Sequence, residues 1–306
     1  MTISLQPVMK AKRITTTMNK TIFIITGPTA SGKTSMALQL AKQYNTQIIS
    51  ADSRQCFRET NIGVAKPSAE ELASVKHYFI NSHSIHEDVS AATFEQYALN
   101  AAAEIFQNND VGVMAGGTGL YIKAFCEGLD EIPGVPAEIR DKIIHQYQEK
   151  GMQWLQEELK THDPVYYAEG EIHNPQRVMR ALEVKVATGR SIKDFQRKTK
   201  VTRDFNIIKY GIDISKEQLL ENISLRVDKM VEDGLVEEVR SLLPYRNLNA
   251  LQTVGYTEIF DHLDGKMSLA EAVERIKTNT RQYAKRQMTW FKKDPQIQWI
   301  KTLPQT

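Results

Sequence analysis

Gly27-Pro28-Thr29-Ala30-Ser31-Gly32-Lys33-Thr34 is the stretch that decides the fold of this 306-residue chain. Two glycines five residues apart, followed by Lys and Thr, form the pattern of a phosphate-binding loop. The β-branched apolar run Thr21–Thr26 predicts a buried strand before the loop, and Ser35–Lys42 predicts a helix after it. In this setting, backbone N–H groups of the loop and of the helix N-terminus surround a phosphate. All eight residues are therefore predicted to bind a diphosphate or triphosphate.

The last two residues of this loop carry its charge and its metal chemistry. Lys33 supplies a cation to the phosphates, and the Thr34 hydroxyl can bind Mg²⁺. The pattern does not identify what is attached to the phosphates, so other parts of the sequence must decide the function.

The bulk composition limits the class of protein. The chain is 41% hydrophobic and 25% charged, with a formal net charge of +2, which is typical of a globular protein of about two domains. No apolar run approaches the ~20 residues of a membrane span. Cys56 and Cys126 are far apart in sequence, which argues against a disulfide framework or a structural zinc site. We predict no membrane association and a cytoplasmic location.

Apolar runs alternate with helical segments along most of the chain. The later runs that predict strands are Thr46–Ala51, Tyr78–Ile80, Val111–Ala115 and Ile207–Ile212. The segments that predict helices include 93–107, 137–150, 175–188 and 268–293. This alternation predicts an α/β fold of the P-loop NTPase type, in which helices flank a parallel sheet and ligands bind beyond the carboxyl ends of the strands.

The alternation stops after Pro133-Gly134-Val135-Pro136, which is a boundary signal. We predict a helical insertion domain at 135–204, set into a catalytic core formed by 20–134 and 205–306. The polar residues 1–19 are predicted to be a flexible leader.

Two predicted strands end in residues that can do chemistry beside the phosphate loop. Asp52 ends the second strand, where a carboxylate either caps a following helix or accepts a proton from a substrate. Gly116-Gly117-Thr118-Gly119 follows a later strand and is either a flexible turn or a place where the Thr118 hydroxyl approaches a ligand. No acidic residue ends that strand to hold Mg²⁺, which argues against a motor ATPase.

Two stretches of the chain are strongly basic. Residues 175–203 contain nine Lys or Arg against two acidic residues, and residues 275–293 contain seven and no acid. Such runs are either solvated faces or a surface for a polyanion. Tyr283 and Trp290 in the second stretch can stack on bases, although core packing is the expected role of Trp290.

Four blocks in this order resemble the tRNA dimethylallyltransferase family, also called the tRNA isopentenyltransferase family. They are Gly27–Thr34, Ser50–Gln55 with Ile62–Pro67, Gly116–Tyr121 and Thr280–Gln287. Lesser matches occur at 174–183 and Val254–Tyr256. Phe57, Asn61 and Val64 depart from the family's usual Tyr, Asp and Thr, and they flank the predicted site. No zinc-finger segment follows residue 300, so the chain resembles the bacterial form.

This resemblance implies a reaction. A dimethylallyl group moves from dimethylallyl diphosphate to N6 of the adenosine directly 3′ of the tRNA anticodon, and diphosphate leaves. Asp52 takes the proton of the amine. Lys33 and Arg226 stabilise charge on the leaving group, with Mg²⁺ held by Thr34 as the cofactor. Thr118 contacts the nucleotide or the departing oxygen.

The resemblance also implies an RNA surface. The target base must leave its stack, and basic contacts to the anticodon stem-loop offset that cost. The predicted RNA contacts are Asp52, Ser53, Arg54, Gln55, Thr118, Arg140, Gln176, Arg177, Val178, Met179, Arg180, Arg281, Lys285 and Arg286. The expected partners are tRNA and dimethylallyl diphosphate, and the chain is expected to be a monomer.

Two other functions stay open at this point. A small-molecule or nucleoside kinase that binds ATP shares the loop, the sheet and a helical lid, but it explains the basic stretches poorly. A nucleotide-switched RNA-binding protein would explain those stretches, but the missing acidic strand end argues against it.

Overall fold

The computed structural model describes residues 20–196 and 199–301. The predicted leader 1–19 lies outside these residues, as do Arg197 and Lys198 of the first basic stretch. The chain divides into two compact units. A helical unit spans Glu127–Thr202, and the described residues before and after it form the other unit. The sequence places the insertion at 135–204, so the helical unit begins earlier than the proline-rich boundary suggests.

The larger unit is built on one parallel sheet. Its strands are β1 (Thr21–Thr26), β2 (Ile48–Ser50), β3 (His77–Tyr78), β4 (Val111–Gly116), β5 (Asn206–Ile212) and β6 (Ile297–Ile300). The strand order is β3-β2-β4-β1-β5-β6, and every pairing is parallel. The central strands read as nearly continuous Val and Ile runs because helices cover both faces of such a sheet. The predicted α/β class with a parallel sheet is confirmed.

Helices follow most of the strands, as the alternation predicts. They are α1 (Lys33–Gln43), α2 (Ala69–Ser74), α3 (Ala91–Ile105), α4 (Gly119–Glu127), α5 (Ala137–His162), α6 (Pro164–Glu169), α7 (Pro175–Thr188), α8 (Lys216–Glu232), α9 (Leu235–Ser241), α10 (Tyr256–Leu263) and α11 (Leu269–Phe291). No helix in the described part of the chain is both long and apolar enough to cross a membrane.

Several predicted boundaries need correction. The third strand ends at Tyr78 because Phe79 and Asn81 take left-handed backbone angles, with φ of 62° and 54°. The helix predicted at 137–150 continues to His162 as a second helical segment beyond a break at Gly151, where φ is 75°. The short strand β6 has no predicted counterpart. In contrast, α7 has the predicted bounds, since Asn174 caps it and Pro175 occupies its first turn.

Strand register brings three chain segments to one edge of the sheet. At the carboxyl ends of the strands, Thr26 pairs with Gly116 and Ser50 pairs with Ala115. The segments that leave β1, β2 and β4 therefore start beside one another. These segments are the phosphate loop, the turn at Asp52 and the glycine-rich turn at 116–119, and parallel α/β sheets bind their ligands at this edge.

The helical unit has its own apolar core. Leu155 and Leu159 of α5 and Val178 and Leu182 of α7 are buried in it. This core accounts for the spacing of apolar residues along the two long helices of the unit.

Candidate active site

The phosphate loop leaves several polar groups without partners among the described residues. Gly27 and Gly32 have φ of 147° and 90°, and Ala30 has a φ of 62°. Gly32 precedes α1 and offers no side chain to cap it, so the first N–H groups of the helix are left for a ligand. The Ser31 hydroxyl is buried and has no hydrogen-bond partner among the described residues. A phosphate oxygen would supply the missing partners of these groups.

Two cationic side chains lie at this loop: Lys33 within it and Arg226 beside it. Lys33 Nζ donates to Pro28 O at 2.6 Å, and Arg226 on α8 donates to the Thr29 hydroxyl at 3.2 Å. Burial is the main reason that the pKa of Lys33 falls from 10.5 to about 7; the charge of Arg226 lowers it further, and Asp52 opposes the shift. Burial also lowers the pKa of Arg226. A bound diphosphate would offset the cost of holding these two charges close together.

Asp52 stabilises a turn and does not cap a helix. Its Oδ1 accepts hydrogen bonds from the N–H groups of Arg54 at 2.9 Å and Gln55 at 3.3 Å. No helix begins at this point of the chain. Oδ2 accepts no hydrogen bond from the described residues, so one carboxylate oxygen stays available to a substrate. The alternative in which Asp52 is only a helix cap is therefore wrong.

Thr118 joins this turn to the glycine-rich turn. Its hydroxyl accepts a hydrogen bond from Ser53 N at 3.1 Å, and its own N–H donates to Ala51 O at 3.1 Å. The Gly116 backbone contacts Ala51 so closely that a Cβ at position 116 would lie 2.1 Å from Ala51 O. Gly116 therefore allows the glycine-rich turn to pack closely against the turn at Asp52. Its role goes beyond making the turn flexible.

Two cavities meet at Asp52. The first has a volume of about 340 Å³. It is lined by the phosphate loop from Thr29 to Thr34 and by Asp52, Gln55, Lys66, His77 and Arg226, among others. The second, of about 230 Å³, shares Thr29, Asp52, Val64 and Arg226 and adds Val227, Met230, Val254, Ile276 and Tyr283. One carboxylate thus borders both a phosphate site and a largely apolar space.

The loop at 61–66 forms a wall of both cavities, and sequence reasoning did not identify what holds it. The Glu238 carboxylate on α9 accepts the N–H groups of Asn61, Ile62 and Gly63 at 2.7–3.1 Å, and it also accepts the Tyr256 hydroxyl. Glu238 lies far from this loop in sequence, so no local pattern signals the contact.

The side chain of Gln55 is also used within the protein. Its amide nitrogen donates to Ala65 O at 2.9 Å, and its amide oxygen accepts from Ser50 Oγ at 3.3 Å. Gln55 thus holds the same loop through a second set of hydrogen bonds. Contact between this side chain and RNA stays a prediction.

Helix α11 presents two faces. Arg281, Lys285 and Arg286 are exposed, as predicted for an RNA surface, and the Arg286 guanidinium lies 5.8 Å from the centre of the Tyr283 ring. Burial and the charge of Asp52 raise the pKa of Tyr283 to about 12. The expected core packing of Trp290 is wrong, because this side chain is 40% exposed beside Gly119.

The helical unit carries the remaining predicted RNA contacts. Arg140, Gln176 and Arg177 are exposed. Arg180 is half-buried, and its NH1 lies 3.4 Å from Glu183. Val178 and Met179 are 0% and 4% exposed in the core of this unit, so their side chains do not face solvent, and the prediction that they contact RNA is corrected in that respect.

The residues of the first cavity fit a Mg²⁺ ion that is bound together with a diphosphate. The described residues contain no group of three or more His, Cys, Asp or Glu that could form a metal cage. Thr34 lines the first cavity, and Mg²⁺ accepts a single protein hydroxyl when diphosphate oxygens and waters complete its shell. This donor set suits a metal that arrives with a diphosphate.

Fold and site together define a phosphate-loop α/β enzyme whose anion site opens beside a carboxylate and an apolar cavity. The model of the IPP transferase family matches residues 55–294. The chain belongs to this family, and the kinase alternative is therefore excluded. The predicted family is confirmed by relatives that match along nearly their whole length.

Two relatives are named tRNA dimethylallyltransferase. The protein from Christiangramia forsetii is 46% identical over 92% of this chain and 94% of its own length. The protein named tRNA dimethylallyltransferase 1 from Bacteroides thetaiotaomicron is 43% identical over 92% of this chain and 91% of its own.

Solved structures give the same result. The tRNA isopentenylpyrophosphate transferase of Bacillus halodurans is 35% identical, with a TM-score of 0.66 over 92% of this chain and 89% of that one. A eukaryotic dimethylallyltransferase described as acting on tRNA is 26% identical, with a TM-score of 0.73 over 89% of this chain and 70% of that one.

Proposed function

We propose that this enzyme transfers a dimethylallyl group from dimethylallyl diphosphate to N6 of the adenosine 3′-adjacent to the anticodon of a tRNA, with release of diphosphate. The names of the relatives supply the class of substrate. The observation that carries the chemistry is the meeting of phosphate loop, Arg226 and Asp52 carboxylate in one cavity. Such a site can stabilise a leaving anion and accept a proton from a nucleophile.

The phosphate loop would bind the leaving diphosphate. As the bond between the allylic carbon and the diphosphate oxygen breaks, negative charge grows on the diphosphate. Lys33 and Arg226 line the cavity in which that charge would grow, where Pro28 O and the Thr29 hydroxyl now accept their hydrogen bonds, so both cations can stabilise the leaving group. Mg²⁺ held at Thr34 would add further neutralisation of the diphosphate.

Asp52 would accept the proton of the nucleophile. The new bond joins adenine N6 to the allylic carbon, and the amine must lose one proton. Oδ2 of Asp52 is the acceptor that the turn leaves available, and the Thr118 hydroxyl holds the N–H of the adjacent Ser53. The apolar residues of the second cavity, including Val227 and Met230, suit the dimethylallyl group.

The basic surfaces would bind the RNA. Arg281, Lys285 and Arg286 on α11 offer exposed charges for phosphates of the anticodon stem-loop, and Arg140, Gln176 and Arg177 offer a further set on the helical unit. We propose that the enzyme acts on tRNA as a monomer in the cytoplasm.

One assay separates this function from phosphoryl transfer. Unmodified tRNA and Mg²⁺ are incubated with the enzyme and either labelled dimethylallyl diphosphate or ATP labelled on its terminal phosphate. We expect label in tRNA from the prenyl donor alone. Phosphoryl transfer from ATP to a small acceptor, without prenyl transfer, would contradict the proposal.

A further inference from the structure

Gln287 is a buried amide in the middle of the basic stretch of α11. Its neighbours Lys285, Arg286 and Thr289 are exposed, whereas Gln287 is only 6% exposed. A buried amide is costly unless both of its ends are hydrogen-bonded. Its partners are therefore informative about what this position does.

The two ends of this amide bond two different loops. Gln287 Oε1 accepts from Thr29 N in the phosphate loop at 2.8 Å. Gln287 Nε2 donates to Gly117 O in the glycine-rich turn at 2.9 Å. A single side chain on α11 thus connects the segment after β1 with the segment after β4.

Each of these loops leads to a different half of the proposed chemistry. The Thr29 hydroxyl accepts a hydrogen bond from Arg226, on the side of the leaving group. Gly117 precedes Thr118, whose hydroxyl accepts the N–H of Ser53 directly after Asp52. The amide therefore lies between the leaving-group half and the base half of the site, and it bonds the backbone of both.

The packing around this amide fixes its position. A Cβ added to Gly117 would lie 2.1 Å from Gln287 Nε2, and a Cβ added to Gly119 would lie 2.2 Å from the Trp290 indole. Gln287 and Trp290 stand about one helical turn apart on α11. Helix α11 thus packs closely against the glycine-rich turn at two positions. Any larger residue at 117 would displace the Gln287 amide.

We propose that Gln287 is a positioning residue that sets the phosphate loop and the Asp52–Thr118 edge at the separation needed for prenyl transfer. The inference rests on the proposed function. Gln287 contacts neither reacting group in this arrangement and acts through Thr29 and Gly117. In a displacement the nucleophile, the carbon and the leaving group must align, and a misplacement of about 1 Å costs about 10²-fold in rate.

The test uses Gln287→Met, which keeps the length of the side chain and removes both hydrogen bonds. We expect kcat to fall about 10–100-fold, while KM for tRNA and the Kd for pyrophosphate change by less than about threefold, since their contacts stay in place. Gln96→Met is the matched control, because Gln96 is exposed on α3 and its side chain bonds the neighbouring Asn100. It should leave kcat unchanged.

A double-mutant cycle with Asp52→Asn separates positioning from a general loss of structure. If Gln287 aligns the base with the leaving group, its loss should cost much less in an enzyme that lacks the base. The same full loss in both backgrounds would overturn the inference, as would an unchanged kcat in Gln287→Met.

A second variant covers the case in which the methionine enzyme does not fold. Gln287→Leu also removes both hydrogen bonds and adds no charge beside the phosphate loop, so the same cycle and the same expected loss apply to it. A wild-type chain with no prenyl transfer at all would overturn both this inference and the proposed function. An active wild type with unaffected Gln287 variants would overturn the inference alone.

Discussion

Lys33 and Arg226 line the same cavity, and the charge of Arg226 adds to burial in lowering the pKa of Lys33 to about 7. The folded protein therefore binds the Lys33 proton more weakly than the unfolded chain, whose lysine has its usual pKa of 10.5. Two neighbouring cations without an anion cost free energy, and a diphosphate reverses that cost.

This relationship predicts proton uptake on diphosphate binding. Above pH 7 the ligand-free protein carries a largely neutral Lys33, and the bound diphosphate restores its charge, so affinity should fall as pH rises from 7 to 9. Titration calorimetry with pyrophosphate in two buffers of different ionisation enthalpy should show uptake approaching about one proton at pH 8. Lys33→Met should remove this uptake, and equal uptake in both proteins would contradict the assignment.

The lowered pKa of Lys33 also makes the free energy of unfolding depend on pH. Because the folded pKa of Lys33 lies below its unfolded value, the unfolded chain holds more protons between pH 7 and 10.5. The contribution of Lys33 to the free energy of unfolding should therefore rise with pH in this window. Urea unfolding of wild type and Lys33→Met at pH 7 and pH 9 should show the rise in wild type alone, relative to the variant.

Asp52→Asn should separate the base from the turn. The asparagine keeps an oxygen for the N–H groups of Arg54 and Gln55, so the turn stays, but it cannot take a proton. Transfer should fall about 10²–10⁴-fold while tRNA affinity holds within about threefold. Single-turnover rates and a filter-binding assay measure the two quantities. Near-normal transfer would reduce Asp52 to a structural role.

The exposed face of α11 should carry a salt-dependent part of tRNA binding. Replacing Arg281 and Arg286 together by Gln should weaken binding and lower the slope of log affinity against log salt by about 0.7–0.9 for each lost phosphate contact. Lys216→Gln is the matched control, since this residue is exposed on α8 and belongs to neither basic stretch. An unchanged slope in the double variant would contradict the RNA surface.

Glu238→Gln should loosen the wall of both cavities. The glutamine amide faces three N–H groups with only one oxygen, so at least one backbone donor loses its partner, at a cost of about 1–3 kcal/mol in the free energy of unfolding. The exposed neighbour Glu237→Gln should cost less than about 0.5 kcal/mol. Urea unfolding compares the two, and equal effects would show that the contact adds no stability.

Much of the fold follows from local patterns. The apolar run Thr21–Thr26 and the helix 175–188 match the structure because β-branched runs, a capping Asn174 and Pro175 are local signals. Strand β6 escapes prediction because four residues are too few for a periodic pattern.

The site is predictable only in part, for a physical reason. That the phosphate loop, Asp52 and Thr118 lie close together is predictable because each follows a strand, at the edge where parallel sheets bind their ligands; their roles stay predictions. Gln287 and Glu238 are missed because each acts through hydrogen bonds to segments far away in the chain. In sequence, a glutamine among basic residues resembles any other residue of a solvated helix.

The proposed transfer is tested most directly by locating the product. The enzyme, Mg²⁺ and labelled dimethylallyl diphosphate are combined with an anticodon stem-loop that has adenosine directly 3′ of the anticodon, or with the same RNA carrying inosine there, which lacks the exocyclic amine. Mass spectrometry should find one dimethylallyl group on N6 of that adenosine and none in the inosine RNA. Equal labelling of the two RNAs, or no labelling of the adenosine RNA, would contradict the account.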